Sequence, residues 1–323
     1  MRPISRAVVR LAALGLSILI ALAAAEAALR FSGTPTPVPD MSVQAWAAYD
    51  PEEVWINRPG AQVSWPPWGM ATFDADGARI TRPPTAPAPS DNVVLVLGCS
   101  FTQGSGVDDR DTFAWRLQER FPDFNVRNFG TGGYGTYQSL IRFRRFLREN
   151  RTVPRLVIFG FADFHGYRDR GTRAWLQTRG NARAVIPPRV DLRDGRLVEF
   201  PGKLVPLSAL ARRSVLWNRV ETTYRERTEY MQDDEEKTVA VQRAVLLRMQ
   251  EEVARAGSRL LVADLWTSPP NRAPWKKFFE DHRFDVAECV TDRTPFAHPD
   301  PFWHLLHADC LEDAVRRDGL LDE

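Results

Sequence analysis

Apolar and polar positions change rhythm several times along the chain, and each change predicts a different element. Leu11–Ala25 is apolar almost without a break, Glu26 interrupts it, and Ala27–Leu29 resumes it. Arg2, Arg6 and Arg10 lie at its basic end. The uninterrupted run is shorter than the roughly 20 residues that cross a bilayer. Extended over Ala7–Leu29 it reaches spanning length, with Arg10 and Glu26 near the ends, where charged side chains reach toward water. Positive charge ahead of an apolar stretch predicts a signal anchor or a cleaved signal peptide, the anchor being preferred. Small residues at Ala23–Ala25, Ala27 and Ala28 also fit cleavage. Either way the basic end stays inside and the chain beyond it is exported, which predicts an inner-membrane, single-pass protein with its C-terminal domain in the periplasm, or a protein released there.

The next segments are polar and rich in proline. Residues 33–40 (GTPTPVPD) form a stiff spacer, and residues 83–91 (PPTAPAPSD) form a second one. Between them Trp46, Trp55, Trp65 and Trp68 punctuate short polar runs, which predicts a small β-rich lead-in. The expected organisation is therefore a hydrophobic helix over 1–31, spacer and lead-in over 32–91, and one large domain over 92–323.

That domain opens on Asn92–Leu97 (NVVLVL), a continuous apolar run bounded by turn residues that reads as a strand buried on both faces. A helix is expected over 112–120, a short strand over 124–128, a helix over 137–149 and a third buried strand over 155–161. A helix over about 235–256 carries Val241, Val245, Met249 and Val253 every four residues, and a fourth strand follows at 260–265. Alternating strands and helices predict a parallel sheet with helices on both faces. In such sheets ligands sit at the carboxyl ends of the strands. Three glycine-marked turns fall there: Gly98–Ser100, Gly130–Gly135 and Gly160–Asp163.

Composition narrows the function. With 323 residues, 44% hydrophobic and 26% charged, the chain is globular rather than disordered, and a net charge of +2 offers no bulk field for nucleic acid. No CxxC pair and no HxxxH spacing point to a metal centre, and no cofactor is implied. The one basic cluster, Arg142, Arg144, Arg145, Arg148, Arg151 and Arg155, reads as a solvated helix face or, less simply, a contact for anionic glycan or lipid.

Taken together, VVLVLGCSFTQGSGV, NFGTGGYGTYQSL, VIFGFADFH and HPDPFWH resemble the SGNH/GDSL hydrolase superfamily, in its membrane-anchored or exported bacterial form. The likeness covers about residue 92 to the C-terminus. It implies a flavodoxin-like three-layer α/β/α sandwich and Ser-His-Asp ester chemistry. On that resemblance Ser100 is the nucleophile, His298 the base, and the N–H groups of Ser100 and Gly133 form the oxyanion hole. A serine hydroxyl is a weak nucleophile and needs such a base beside it. The function implied is an exported serine esterase that cleaves or transfers an acyl group, through acyl-Ser100, on an acylated small molecule or polysaccharide. The alternative is a degenerate SGNH domain that binds glycan or a membrane partner.

Three positions depart from the family pattern. Cys99 stands where an Asp usually precedes the nucleophile, and Ala162 stands where an Asn usually donates to the oxyanion. No acid sits just ahead of His298, so Asp163, Asp300 or Asp292, or a backbone carbonyl, has to orient the imidazole. His165 is expected to bind substrate or donate to the oxyanion. His304 and His307 are expected to pack or cap, the alternative being that His304 is the base in a shifted register, with Asp300 upstream. Cys289 and Cys310 flank the His298 loop and are disulfide candidates in an oxidising compartment.

Overall fold

The computed structural model describes residues 6–33, 45–65, 69–86, 90–150, 152–178, 185–290 and 298–322. In chain order the elements are α1 (Arg6–Phe31), β1 (Ala47–Asp50), β2 (Val54–Asn57), β3 (Gln62–Trp65), β4 (Gly69–Thr72), β5 (Val93–Gly98), α2 (Ser100–Gln103), α3 (Phe113–Arg120), β6 (Asn125–Asn128), α4 (Thr136–Asn150), β7 (Leu156–Ala162), α5 (His165–Arg170), α6 (Arg173–Thr178), β8 (Val185–Ile186), β9 (Arg189–Arg193), β10 (Arg196–Phe200), β11 (Lys203–Leu204), α7 (Val215–Thr228), α8 (Glu235–Arg255), β12 (Arg259–Trp266), α9 (Arg272–Asp281), β13 (Asp285–Glu288) and α10 (Pro301–Arg317).

The chain divides into two compact units. The smaller comprises Met1–Asp40, Leu176–Ile186 and Leu204–Tyr230, and the larger comprises Met41–Trp175, Pro187–Lys203 and Met231–Glu323. In the smaller unit α1 buries none of its residues and is, by length and hydropathy, the one described helix apolar enough to cross a membrane. Glu26 does more than interrupt the apolar run. Its carboxylate accepts from Ser214 Oγ (2.9 Å) and from the N–H groups of Val215 (3.0 Å) and Leu216 (2.9 Å), the first turn of α7. An acidic group there satisfies donors that a helix start leaves unpaired.

The larger unit is built on a five-stranded parallel sheet in the order β13-β12-β7-β5-β6. Side chains alternate across it as the pleat requires. Val93, Leu95, Leu97, Val157, Phe159 and Phe161 face a core shared with α4, α8 and α9, while Val94, Val96, Ile158 and Leu261 face one shared with α3 and α10. Both faces are covered, so the architecture is the three-layer α/β/α sandwich expected of the strand–helix alternation. The observed strands and helices match their expected positions to within one or two residues at each end. Sheet strand β13, helices α5, α7 and α9, and the β9–β10 hairpin were not anticipated.

The lead-in is indeed β-rich, forming the hairpins β1–β2 and β3–β4. It is no free-standing module, because its polar residues complete the larger unit. Fully buried Glu53 pairs with Arg142 (2.9 Å) and Arg145 (3.3 Å), Asp50 with Arg145 (2.5 Å), and Glu52 with Arg148 (2.6 Å). Arg144 pairs instead with Glu252 (2.7 Å) and Glu199 (3.2 Å). This corrects the reading of the α4 arginines as a solvated face or glycan contact: Arg142–Arg148 are taken up by carboxylates, and Arg142 is itself buried. Arg151 lies outside the described residues.

Candidate active site

The carboxyl ends of β5, β6 and β7 carry the three glycine turns, and hydrogen bonds draw them together. The Gly98 carbonyl accepts from the Thr131 N–H (3.0 Å), and Gly98 lies opposite Gly160 in the β5–β7 register. The Thr102 side chain occupies the space where a Cβ on either glycine would project, and Gly98 has a φ of +149°, so a side chain is excluded at both. Ser100 is the first residue of α2, directly after β5, and is 8% exposed. Neither its N–H nor that of Gly133 is given to a backbone carbonyl among the described residues, so both donors remain available.

The lead-in sets the glycine loop. Trp55 Nε1 donates to the Gly132 carbonyl (2.9 Å), and Asn57 Nδ2 donates to the Gly130 carbonyl (3.0 Å). The Tyr134 hydroxyl donates to Glu53 (2.6 Å). On the other flank, Asp169 Oδ1 accepts from the Tyr137 N–H (2.8 Å) at the start of α4. Burial pushes the Asp169 carboxyl up to about 7, against the opposing pull of the Tyr137 N–H.

His298 sits just before α10, and its ring packs edge-on against Phe101, the neighbour of Ser100, at 5.8 Å between centroids. Phe101 in turn packs against Phe164 and Trp266, each at 5.8 Å. Desolvation, then the nearby Arg168 cation, lowers the imidazole below its ordinary value, so the ring is neutral and able to accept a proton at pH 7. The structure thus brings the His298 loop to the segment that carries Ser100.

The acids expected to orient His298 are engaged elsewhere. Asp163 Oδ2 accepts from Ser268 N (3.0 Å), Ser268 Oγ (2.5 Å) and Asn271 Nδ2 (2.9 Å), which fixes the turn after β12. Asp300 is the N-cap of α10, accepting from the Trp303 N–H (3.0 Å). A carboxylate one residue before a proline-started helix is drawn to its unpaired N–H groups. Asp292 lies outside the described residues.

The expectation for His165 is also corrected. Its ring is fully buried among Phe159, Phe161 and Phe164, and neither nitrogen has a hydrogen-bond partner, so it touches no substrate and donates to no oxyanion. Nor is His304 free to act as a base: it is fully buried, and its Nδ1 accepts the Phe113 N–H (3.2 Å) at the start of α3. His307 packs edge-on against Phe113 (6.2 Å). Cys289 and Cys310 are joined, with Cα atoms 5.6 Å apart, tying the end of β13 to α10 on either side of the His298 loop. Cys99 is a buried free thiol.

One residue at this centre carried no sequence signal. Arg168, on α5, donates through Nη1 to the Tyr134 carbonyl (2.8 Å), and its guanidinium lies over the rings of Phe164 (4.4 Å) and Trp175 (4.6 Å). Its charge also interacts with the Cys99 thiol. An arginine in a polar stretch looks like any surface arginine until the helix that bears it is placed. A cavity of about 610 Å³ whose lining includes Asp264, Arg272, Lys276, Glu288, Arg317 and Asp318 lies apart from these residues, and within it Lys276 pairs with Glu288 and Arg317 with Asp318.

No protein-family profile matches the sequence, and no curated protein matches it. Among solved structures the chain is similar to TesA, at 14% identity and a TM-score of 0.40, over 70% of this chain and 98% of that one. It is similar to a lipolytic protein of the G-D-S-L family from Veillonella parvula, at 10% identity and 0.40, again over 70% and 98%. It is also similar to AlinE4, an SGNH-hydrolase family esterase, at 16% identity and 0.35, over 72% and 98%. The chemistry of the site rests on the residues of this chain.

Proposed function

We propose that the protein is an SGNH-type serine ester hydrolase, anchored by α1 with its larger unit on the exported side of the membrane. The observation that carries the chemistry is the packing of His298 against Phe101, which sets a neutral imidazole beside the Ser100 segment, next to a glycine loop with an unengaged N–H at Gly133. In this reading Ser100 Oγ attacks the ester carbonyl as its proton passes to His298. The carbonyl oxygen takes up the negative charge opposite the Ser100 and Gly133 N–H groups. Collapse breaks the bond to the alcohol, which leaves with the proton from His298, and water or a sugar hydroxyl then releases the acyl group. The basic N-terminus, the length of α1 and the Cys289–Cys310 bond all fit an exported protein in an oxidising compartment.

A fluorophosphonate probe followed by peptide mass spectrometry tests the chemistry. Labelling at Ser100, lost in Ser100→Ala, is expected; a chain that folds and stays unlabelled would overturn the reading. A second reading, a glycan-binding SGNH domain without catalysis, is favoured by the engagement of Asp163 and Asp300 elsewhere. It predicts glycan binding without labelling.

A further inference from the structure

Arg168 presents an imbalance that the rest of the fold does not resolve. A guanidinium has five N–H donors in a fixed plane and carries its charge at every accessible pH. Here one donor goes to the Tyr134 carbonyl, and the guanidinium carbon lies over the rings of Phe164 and Trp175. No carboxylate forms an ion pair with it among the described residues. The adjacent Asp169 is a weak counter-ion, because burial favours its neutral form and its Oδ1 is committed to the Tyr137 N–H. Every other arginine on the neighbouring helix α4 from Arg142 to Arg148 is matched by an acid. A partly buried cation left without an anion is costly, and the cost falls when negative charge arrives.

The position is as informative as the charge. The guanidinium bonds Tyr134, which follows Gly133, and lies over Phe164, which packs on Phe101 after the nucleophile candidate, and its charge acts on Cys99 and on His298. These are the flanks of all three proposed catalytic elements. The end of β7 contributes only the methyl group of Ala162, so no side-chain donor comes from that strand.

We propose that Arg168 is a catalytic residue of this site, its free N–H groups and charge receiving the acyl oxygen as it becomes negative. This rests on the serine-esterase reading above. As the Ser100 Oγ–carbon bond forms, the carbonyl π pair moves onto oxygen and the Oγ proton moves to His298. The oxygen then lies among the Ser100 N–H, the Gly133 N–H and the Arg168 fork. When the bond to the alcohol breaks, the pair returns to the carbonyl, and Arg168 is again uncompensated. An interaction that exists chiefly in the charged intermediate speeds turnover rather than tightening substrate binding.

The test uses the full chain in detergent with p-nitrophenyl acetate, a neutral ester. Arg168→Gln should lower kcat by about 100-fold or more, as removal of an oxyanion donor does, with KM within about threefold. Arg168→Lys keeps a cation between the two rings but loses the fork, and should lose about tenfold in kcat. A kcat for Arg168→Gln within about threefold of the parent, or an effect confined to KM, would overturn the assignment and leave Arg168 a structural prop of the glycine loop. Should Arg168→Gln fail to fold, as judged by circular dichroism, Arg168→Lys at an unchanged Tm carries the test, and full kcat in it is the overturning result. Fluorophosphonate labelling separates the two levels. Slow labelling of Ser100 in Arg168→Gln supports the proposal, equal labelling rates remove Arg168 alone, and no labelling of the parent removes the esterase and Arg168 together.

Discussion

His298 and His304 lie on one short stretch of chain, yet they inhabit opposite environments. His298 lies just ahead of α10, its ring against Phe101 beside the Ser100 segment. His304 is sealed between α10 and α3, stacked on Phe113 at 5.8 Å and accepting that residue's N–H. Burial, with His307 and Arg79 adding to it, holds His304 well below the ordinary histidine range. The residues between them make the difference. Asp300 caps α10 and Pro301 starts it, so the chain turns from loop to helix between the two rings. The same residue type becomes a candidate base on one side of that cap and a helix-capping core residue on the other.

The sharpest way to break this contrast is to remove each ring in turn. His298→Ala should reduce ester turnover roughly 10⁴-fold or more while leaving the Tm nearly unchanged, because the loss falls on the chemical unit. His304→Ala should do the opposite: it opens a cavity and strands the Phe113 N–H, a loss of about 3 kcal/mol in a denaturant titration. Equal loss of turnover and no loss of stability in His304→Ala would reverse the assignment of the two histidines.

The disulfide offers an intermediate effect. Cys289 and Cys310 are 21 positions apart and bracket the His298 loop. Opening a loop of that size by Cys289→Ser/Cys310→Ser should cost about 3 kcal/mol on a chain-entropy account. Chemical denaturation of the oxidised parent against this double variant measures it, and an unchanged midpoint would mean that α10 is held by its core contacts alone.

The smallest effect is expected at His165, which sharpens the contrast from a third position. Its two unpartnered nitrogens sit among phenylalanines, so His165→Phe should stabilise the fold by about 1 kcal/mol. The folded-state pKa is depressed by burial and, secondarily, by Arg168. The unfolded chain therefore takes up a proton below about pH 6.5 that the folded chain refuses, and stability falls as the pH drops through that range. Phenylalanine removes this term, so the gain from His165→Phe should grow from pH 7 to pH 5. A gain independent of pH would contradict a buried neutral ring.

Periodicity and turn chemistry made the strands β5, β6, β7 and β12, their parallel direction and the helices between them legible, because each is a local pattern of apolar residues with glycine or proline at its ends. The N-terminal helix was legible for the same reason, since a long apolar run behind a basic end needs no partner to declare itself. The disulfide candidates and the gathering of the glycine turns at the strand ends could also be read from positions alone. Side-chain pairing could not be. The α4 arginines looked solvated because their carboxylates come from the lead-in and from α8 and β10, far away in sequence. Asp163, Asp300 and His165 looked catalytic because the sequence gives a residue's type and neighbours but not the direction of its side chain. Arg168 looked ordinary because its meaning depends on α5 carrying it to Cys99 and Tyr134. What the sequence determined by itself were the N-terminal helix and the main strands with the helices between them, which follow from local spacing. What only the tertiary structure decided was which polar groups satisfy one another and which are left to meet a substrate, because that depends on pairings between segments that no local pattern encodes.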